Sequence, residues 1–150
     1  MARGWLVICA LAAGTAHAEP RHTVFGELLG KGGLWGAGYE YAVTPRVSIG
    51  AVGSFYVIHG DRFMTLSPYV SLYPVGLHHH RWFVQAGPQV VRRSTPSPVP
   101  QWQGMATTAW DAEVSSGYEY RNQIVVRAYA MAELGTRLAP WVGTSIGWTW

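Results

Sequence analysis

Hydrophobic and polar residues alternate along most of the chain after residue 20. The pattern is plainest over the last nine residues, where large apolar side chains occupy positions 142, 146, 148 and 150 and small or polar ones fill most of the positions between them. A period of two places successive side chains on opposite faces of a β-strand. Segment 142–150 is therefore predicted to be a strand with one apolar face, ending on Trp148-Thr149-Trp150.

Turn signals divide the rest of the chain into similar alternating segments. The predicted strands lie near 22–30, 33–43, 46–58, 62–74, 81–93, 107–120, 123–134 and 139–150. Each is close to the roughly 9–11 residues that a tilted strand needs to cross a bilayer. The pattern predicts an all-β fold, an eight-stranded antiparallel up-and-down transmembrane β-barrel with a polar lumen. Pro68 and Pro88 fall inside strands, so a bulge or a missing hydrogen bond is expected at each.

Charged residues inside the predicted strands share one face. A lipid-facing Arg or Lys near the bilayer midplane costs about 2–4 kcal/mol, so this face is predicted to line the lumen. The predicted lumen network is Glu27, Glu40, Asp111, Glu113, Glu119, Arg127 and Glu133. One interpretation is a sealed core in which Arg127 bridges several carboxylates while Tyr69, Tyr73 and Tyr129 donate hydrogen bonds. The other is a narrow acid-lined path that favours cations.

The N-terminus has the pattern of a secretory signal peptide. Arg3 precedes a short apolar run over 5–13, and Ala16-His17-Ala18 forms a cleavage site. The run is about half of what a membrane-spanning helix needs. The expected organisation is a signal peptide at 1–18 and an outer-membrane barrel domain at 19–150. The one cysteine, Cys9, would leave with the signal.

Both ends of the predicted barrel carry distinctive side chains. Two segments, Gly38-Tyr39-Glu40-Tyr41 and Gly117-Tyr118-Glu119-Tyr120, each precede a short periplasmic turn. The expected aromatic girdle and assembly signal at that rim is Tyr39, Tyr41, Tyr118, Tyr120, Trp148 and Trp150.

Basic residues gather at the external end, where they would contact lipopolysaccharide phosphates or remain solvated. They are Arg62, Arg92, Arg93, Arg137 and Lys31.

The terminal Trp148-Thr149-Trp150 places aromatic residues two positions apart at the end of the last strand. This resembles the closing strand of bacterial outer-membrane β-barrels. In overall pattern the chain resembles the small eight-stranded barrels, a class that includes the OmpA membrane domain and OmpX. The resemblance implies a monomer in the outer membrane of a Gram-negative bacterium, in contact with outer-membrane lipid, lipopolysaccharide and the barrel-assembly machinery.

The leading functional prediction is a structural or surface-interaction role with a largely plugged lumen. A minor cation-permeable pore, a lipid A acyl enzyme using His59 and Asp61, and a soluble periplasmic barrel remain alternatives. A lipid A deacylase of this architecture carries His-x-Ser near its last strands, whereas this chain has no histidine after His80. No catalytic residue is therefore assigned.

No cofactor, metal site or nucleic-acid partner is expected. The formal net charge of +3 is too small and scattered for a nucleic-acid footprint. His78-His79-His80 could suggest a metal, but three consecutive imidazoles point in different directions in a strand or loop. A solvated periplasmic turn is the expected state of this run.

Overall fold

A computed structural model of the protein describes residues 21–97, 104–134 and 138–150, with backbone only at 138 and 139. The predicted signal peptide and Arg137 lie outside these ranges. Eight strands follow one another: β1 (His22–Gly30), β2 (Gly33–Thr44), β3 (Val47–Ile58), β4 (Asp61–Leu77), β5 (His80–Thr95), β6 (Met105–Arg121), β7 (Ile124–Leu134) and β8 (Leu138–Thr149).

Each strand pairs antiparallel with the next, and β8 pairs with β1, so the sheet closes into a barrel. The predicted all-β fold, an eight-stranded antiparallel barrel, is confirmed. Within the ranges that the structure describes, no helix is long and apolar enough to cross a membrane.

The barrel has two distinct ends. The terminal end holds the start of β1, the end of β8 and the turns at 45–46, 78–79 and 122–123. The opposite, loop end holds the β1–β2 turn at 31–32, the β3–β4 turn at 59–60 and the last residues of β5 and β7. Side chains that share an end of the lumen can therefore meet although they come from distant parts of the sequence.

Alternation along the strands separates an inner face from an outer one. In β4, Ser67, Tyr69 and Ser71 are buried, whereas Leu66 and Val70 are exposed. Burial alternates in the same way in β7, where Val125, Arg127, Tyr129 and Met131 are buried. The described part of the barrel thus buries many polar residues together with a few apolar ones and exposes most of its large apolar ones. In a soluble barrel the two faces would be exchanged.

The β4–β5 connection is shorter than the sequence indicates. The predicted break at 75–80 is wrong, because β4 continues to Leu77 and β5 begins at His80. His78 adopts the left-handed backbone conformation, with φ of 52°, which a two-residue hairpin turn requires. A register irregularity between Leu72 and Val75 accommodates the longer strand. As a result β4, β5 and β6 are the longest strands of the wall.

Pro68 and Pro88 lie opposite each other across the β4–β5 pair. The rungs on either side keep one register, and the rungs at the prolines are missing from the ladder. Because proline has no N–H, both absent donors fall on the same rung. The neighbouring Gly87 allows a close approach here, since a Cβ at that position would stand 2.0 Å from the Pro68 carbonyl oxygen. The wall therefore has one shared gap instead of two separate ones.

Candidate functional site

The terminal half of the lumen holds four interlocking charges, which we call the quartet: Glu40, Glu119, Arg121 and Arg127. Arg127 places Nη2 2.8 Å from Oε1 of Glu40 and Nε 2.6 Å from Oε2 of Glu119. Arg121 contacts the same two carboxylates, each at 2.7 Å. Both arginines therefore bridge both acids, and the cluster is formally neutral.

Two tyrosines complete the hydrogen bonding of the quartet. Tyr69 donates to Oε2 of Glu40 at 3.1 Å. The Tyr73 hydroxyl lies 3.1 Å from carboxylate oxygens of both Glu40 and Glu119. Tyr69 thus occupies the Glu40 oxygen that neither arginine contacts, whereas Tyr73 shares its two oxygens with both arginines and can donate its single proton to one of them at a time.

Aromatic rings surround the Arg127 guanidinium, whose carbon lies 5.2 Å from the Phe25 centroid and 5.8 Å from the Phe83 centroid. Arg127 is only 1% exposed. Charge pairing and ring contacts thus bring side chains from several strands together in the lumen at this level. An eight-stranded barrel is just wide enough for side chains to fill it. The quartet can act as a polar plug.

In the loop half of the lumen, the β1–β2 turn folds inward. The main-chain carbonyl of Lys31 accepts hydrogen bonds from Gln89 at 2.7 Å and from Ser67 at 3.4 Å, both on the far wall. Glu27 accepts a bond from the Gly32 N–H at 3.0 Å. Lys31 is 1% exposed, so its expected place on an external basic rim is wrong.

The buried ammonium of Lys31 has aromatic and acidic neighbours. Nζ lies 3.6 Å from Oε2 of Glu27, 4.5 Å from the centroid of Tyr129 and 4.9 Å from that of Tyr69. Charge pairing and cation–π attraction both favour the cation here. Tyr69, which also binds Glu40 of the quartet, links the two halves of the lumen.

The loop half contains further carboxylates that are less well paired. Glu113 lies directly across from Glu133 in the β6–β7 ladder, and Asp111 is two residues away on the same face. Glu113 is buried, and neither of its carboxylate oxygens has a hydrogen-bond partner in the part of the chain that the structure describes. The structure thus places the predicted lumen residues in two groups, a neutral one near the termini and an acidic one near the loops.

The predicted girdle lies on the outer surface at the terminal end. Tyr39, Tyr118, Trp148 and Trp150 are exposed, and the side chains of Tyr41 and Tyr120 are half-buried. The glutamate at the centre of each Gly-Tyr-Glu-Tyr segment points inward to the quartet. One short segment therefore supplies both an outer aromatic pair and an inner charge.

The predicted external arginines divide into two kinds. Arg62 is exposed two residues before Met64, and Arg92 is exposed directly opposite Met64 on the neighbouring strand. Arg93 instead binds the carboxylate of Asp61 through Nε at 2.9 Å. That carboxylate was the expected partner of His59 in the enzyme alternative. His59 itself forms a tight turn, with φ of 51° followed by Gly60 at 90°.

Within the run of three consecutive histidines, His79 and His80 contact different partners. His79 contacts the Arg121 carbonyl through Nδ1 at 2.9 Å, whereas His80 bonds to the Tyr118 hydroxyl. In the described ranges, no group of three or more His, Cys, Asp or Glu side chains could hold a metal ion.

Sequence reasoning missed two cations of the lumen, Lys31 and Arg121, because both were assigned to turns. Arg121 has the same strand parity as Glu119, which is the signal that could have placed it inside. For Lys31 the alternation gives no such signal, since the turn leaves the strand geometry.

The fold is similar to that of a known small barrel. The crystal structure of the N-terminal β-barrel domain of Pseudomonas aeruginosa OprF matches with a TM-score of 0.67 and 15% sequence identity, over 87% of this chain and 96% of that domain. No protein-family model and no curated protein matches the sequence. The class of protein that the fold defines is thus the small eight-stranded antiparallel barrel, the class to which the sequence pattern points.

Proposed function

We propose that the protein is an integral outer-membrane barrel with a structural or surface-interaction role, a plugged lumen and no catalytic role. The observation that carries the proposal is that the outer face of the barrel is apolar and the inner face holds charged side chains. Leu66, Val70, Ile146 and many other large apolar side chains are exposed on the outer wall, whereas Glu40, Arg127 and four other strand charges are buried. Lipid solvates such a wall, and a closed ladder satisfies backbone polar groups there. Similarity to the OprF barrel supports the proposal.

Cell fractionation tests this proposal. The protein is expected to remain with outer membranes after osmotic shock and to require detergent for release. The folded barrel should also migrate differently from the boiled chain on a denaturing gel. Release into the periplasmic fraction without detergent would instead support the soluble barrel.

The exposed arginine pair fits a contact with lipopolysaccharide phosphate at the loop end. Arg62 and Arg92 adjoin apolar Met64 on the outer face, so their guanidinium groups stand where the apolar wall ends. Arginine binds phosphate through two parallel hydrogen bonds. The double variant Arg62→Gln/Arg92→Gln should copurify with less lipopolysaccharide than wild type. Arg46→Gln, an exposed arginine at the terminal end, is the matched control, and equal losses would count against the contact.

A cation-permeable pore remains a second candidate because of the unpartnered carboxylate of Glu113. Acidic side chains outnumber Lys31 in the loop half, which favours cations there. Planar-bilayer recordings decide between the candidates. Steady cation-selective steps that diminish in Glu113→Gln would support a pore, whereas a silent wild-type protein would support the sealed lumen.

A further inference from the structure

A histidine lies between the two tyrosines of the first Gly-Tyr-Glu-Tyr segment. His22 on β1 is paired with Tyr41 on β2, and the two ring centroids are 5.2 Å apart. Its Nδ1 lies 2.7 Å from the hydroxyl of Tyr39. The indole of Trp150 stacks on the other side of the imidazole at 5.8 Å, with an interplanar angle of 19°.

The second segment repeats this arrangement. His80 on β5 is paired with Tyr120 on β6, with ring centroids 5.5 Å apart, and its Nδ1 bonds to the hydroxyl of Tyr118. We call each set of one histidine and two tyrosines a His–Tyr clasp. The hairpins β1–β2 and β5–β6 are four strands apart in the closed order, so the clasps lie on opposite sides of the terminal rim.

The clasp geometry determines what each imidazole presents. When the tyrosine O–H donates to Nδ1, the neutral ring carries its proton on Nε2. His22 and His80 lie at the terminal end of the wall. The side chain of His80 is exposed, and that of His22 is partly exposed. Each clasp therefore holds an N–H donor in a fixed orientation beside aromatic rings, at the depth where a wall of apolar side chains meets water.

The exposed charged side chains described at this rim have one sign. Arg21 and Arg46 are exposed at the terminal end, whereas the Arg81 guanidinium lies in the mouth of the lumen, 5.8 Å from the centroid of the buried Tyr73 ring. Within 21–97, 104–134 and 138–150, every carboxylate side chain lies in the lumen or at the loop end: Glu27, Glu40, Asp61, Asp111, Glu113, Glu119 and Glu133. An anion that approaches the terminal rim therefore meets arginine and histidine without competing carboxylate side chains.

We propose that the terminal rim binds anionic phospholipid headgroups, with one His–Tyr clasp contacting a phosphate on each side of the barrel and the exposed Arg21 and Arg46 adding positive charge at the rim. The inference rests on the membrane location proposed above. Phosphate accepts strong hydrogen bonds from N–H donors and from guanidinium groups, and the tyrosine and tryptophan rings pack beside the glycerol region.

The test compares retained lipids by native mass spectrometry of the detergent-solubilised barrel. Wild type is expected to retain phosphatidylglycerol in preference to phosphatidylcholine, with two lipids bound. The double variant His22→Phe/His80→Phe keeps the ring packing but removes both N–H donors. Its affinity for phosphatidylglycerol should fall roughly tenfold, as expected for loss of a hydrogen bond to a charged group. His59→Phe, at the loop end, is the matched control and should bind as wild type does.

Equal retention of the two lipids by wild type, or an equal loss in His59→Phe, would overturn the inference. Arg46→Gln provides an independent variant in an exposed turn, where strand packing is untouched, and its preference for phosphatidylglycerol should also fall. Flotation with vesicles is scored separately for every variant. A barrel that floats but shows no lipid preference contradicts only this inference, whereas a wild-type chain that fails to float contradicts the membrane location.

Discussion

Arg127 is the residue on which the quartet depends most directly. It contacts both buried carboxylates and lies between two phenylalanine rings. Removing one member of a buried ion cluster leaves an uncompensated charge, which is more costly than losing the attraction alone. Its replacement should therefore reduce stability more than replacement of a surface arginine.

The Arg127→Met variant is expected to lower the free energy of unfolding by about 3–5 kcal/mol, because Glu40 and Glu119 then share Arg121 alone. Urea unfolding in phospholipid bilayers, followed by tryptophan fluorescence, measures the change. Arg92→Met removes an exposed guanidinium and should cost less than about 1 kcal/mol. Similar losses in the two variants would show that the quartet does not stabilise the barrel.

Residue orientation could be predicted from the sequence wherever a strand continues. Glu119 and Arg127 point inward as the alternation indicates, and Arg121 follows the same parity. The partners of each charge could not be predicted, because they depend on the stagger between strands. Glu40 and Arg127 are 87 residues apart and meet only once the barrel closes.

At the scale of elements, the inward β1–β2 turn determines the chemistry of the loop half. Strand alternation says nothing about the path of a turn, so Lys31 could not be placed from the sequence. The bonds from Gln89 and Ser67 to its carbonyl hold the turn against the far wall. The turn therefore places main chain as well as side chain inside the lumen.

The position of this turn predicts slow amine labelling. Lys31 is the one lysine of the chain and is 1% exposed, so an amine-reactive reagent should modify it slowly in the folded barrel and rapidly after unfolding. Gln89→Ala removes a hydrogen bond worth about 0.5–1.5 kcal/mol and should speed labelling several-fold. Peptide mass spectrometry measures the rate at this site.

Ser67→Ala is the graded control, since its bond to the Lys31 carbonyl is longer, at 3.4 Å against 2.7 Å for Gln89. Ser67→Ala should therefore increase the labelling rate of Lys31 less than Gln89→Ala does. In a Lys31→Arg background, Thr108→Lys places a lysine on an exposed strand end and should label rapidly in the folded state. Fast labelling of Lys31 in wild type would contradict the inward turn.

At the scale of the whole molecule, charge is partitioned between inside and outside. The lumen faces of the described strands and turns carry six carboxylates: Glu27, Glu40, Asp111, Glu113, Glu119 and Glu133. Three buried cations, Lys31, Arg121 and Arg127, accompany them inside, and a fourth, Arg81, faces the lumen at the terminal mouth, over the Tyr73 ring. The other arginines in the described ranges lie at the two ends of the barrel. The small formal net charge thus conceals an acidic interior and basic rims.

The apolar wall between these rims gives a prediction that distinguishes a membrane barrel from a soluble one. Val70 is exposed near the middle of β4, between two rims of cations. In a bilayer, Val70→Arg should lower the free energy of unfolding by about 2–4 kcal/mol, whereas in water the same exposed arginine would cost little. Refolding in vesicles, followed by urea titration, measures the difference.

Thr108→Arg is the matched control for position along the wall, because Thr108 lies on an exposed strand end at the loop rim. Its cost should be about 0–1 kcal/mol. Equal tolerance of the two arginines in bilayers would argue that lipid does not cover the β4 surface.

The facing prolines of β4 and β5 have a mechanical consequence. A closed barrel has no free edge, so it can widen only where two neighbouring strands separate. The β4–β5 pairing is already interrupted around Pro68 and Pro88, between the Leu66–Val90 and Val70–Ala86 pairs, while the pairs on either side remain. If lateral tension acts on the barrel in a bilayer, β4 and β5 should therefore separate first at this gap. The turn at 78–79 would keep the two strands connected.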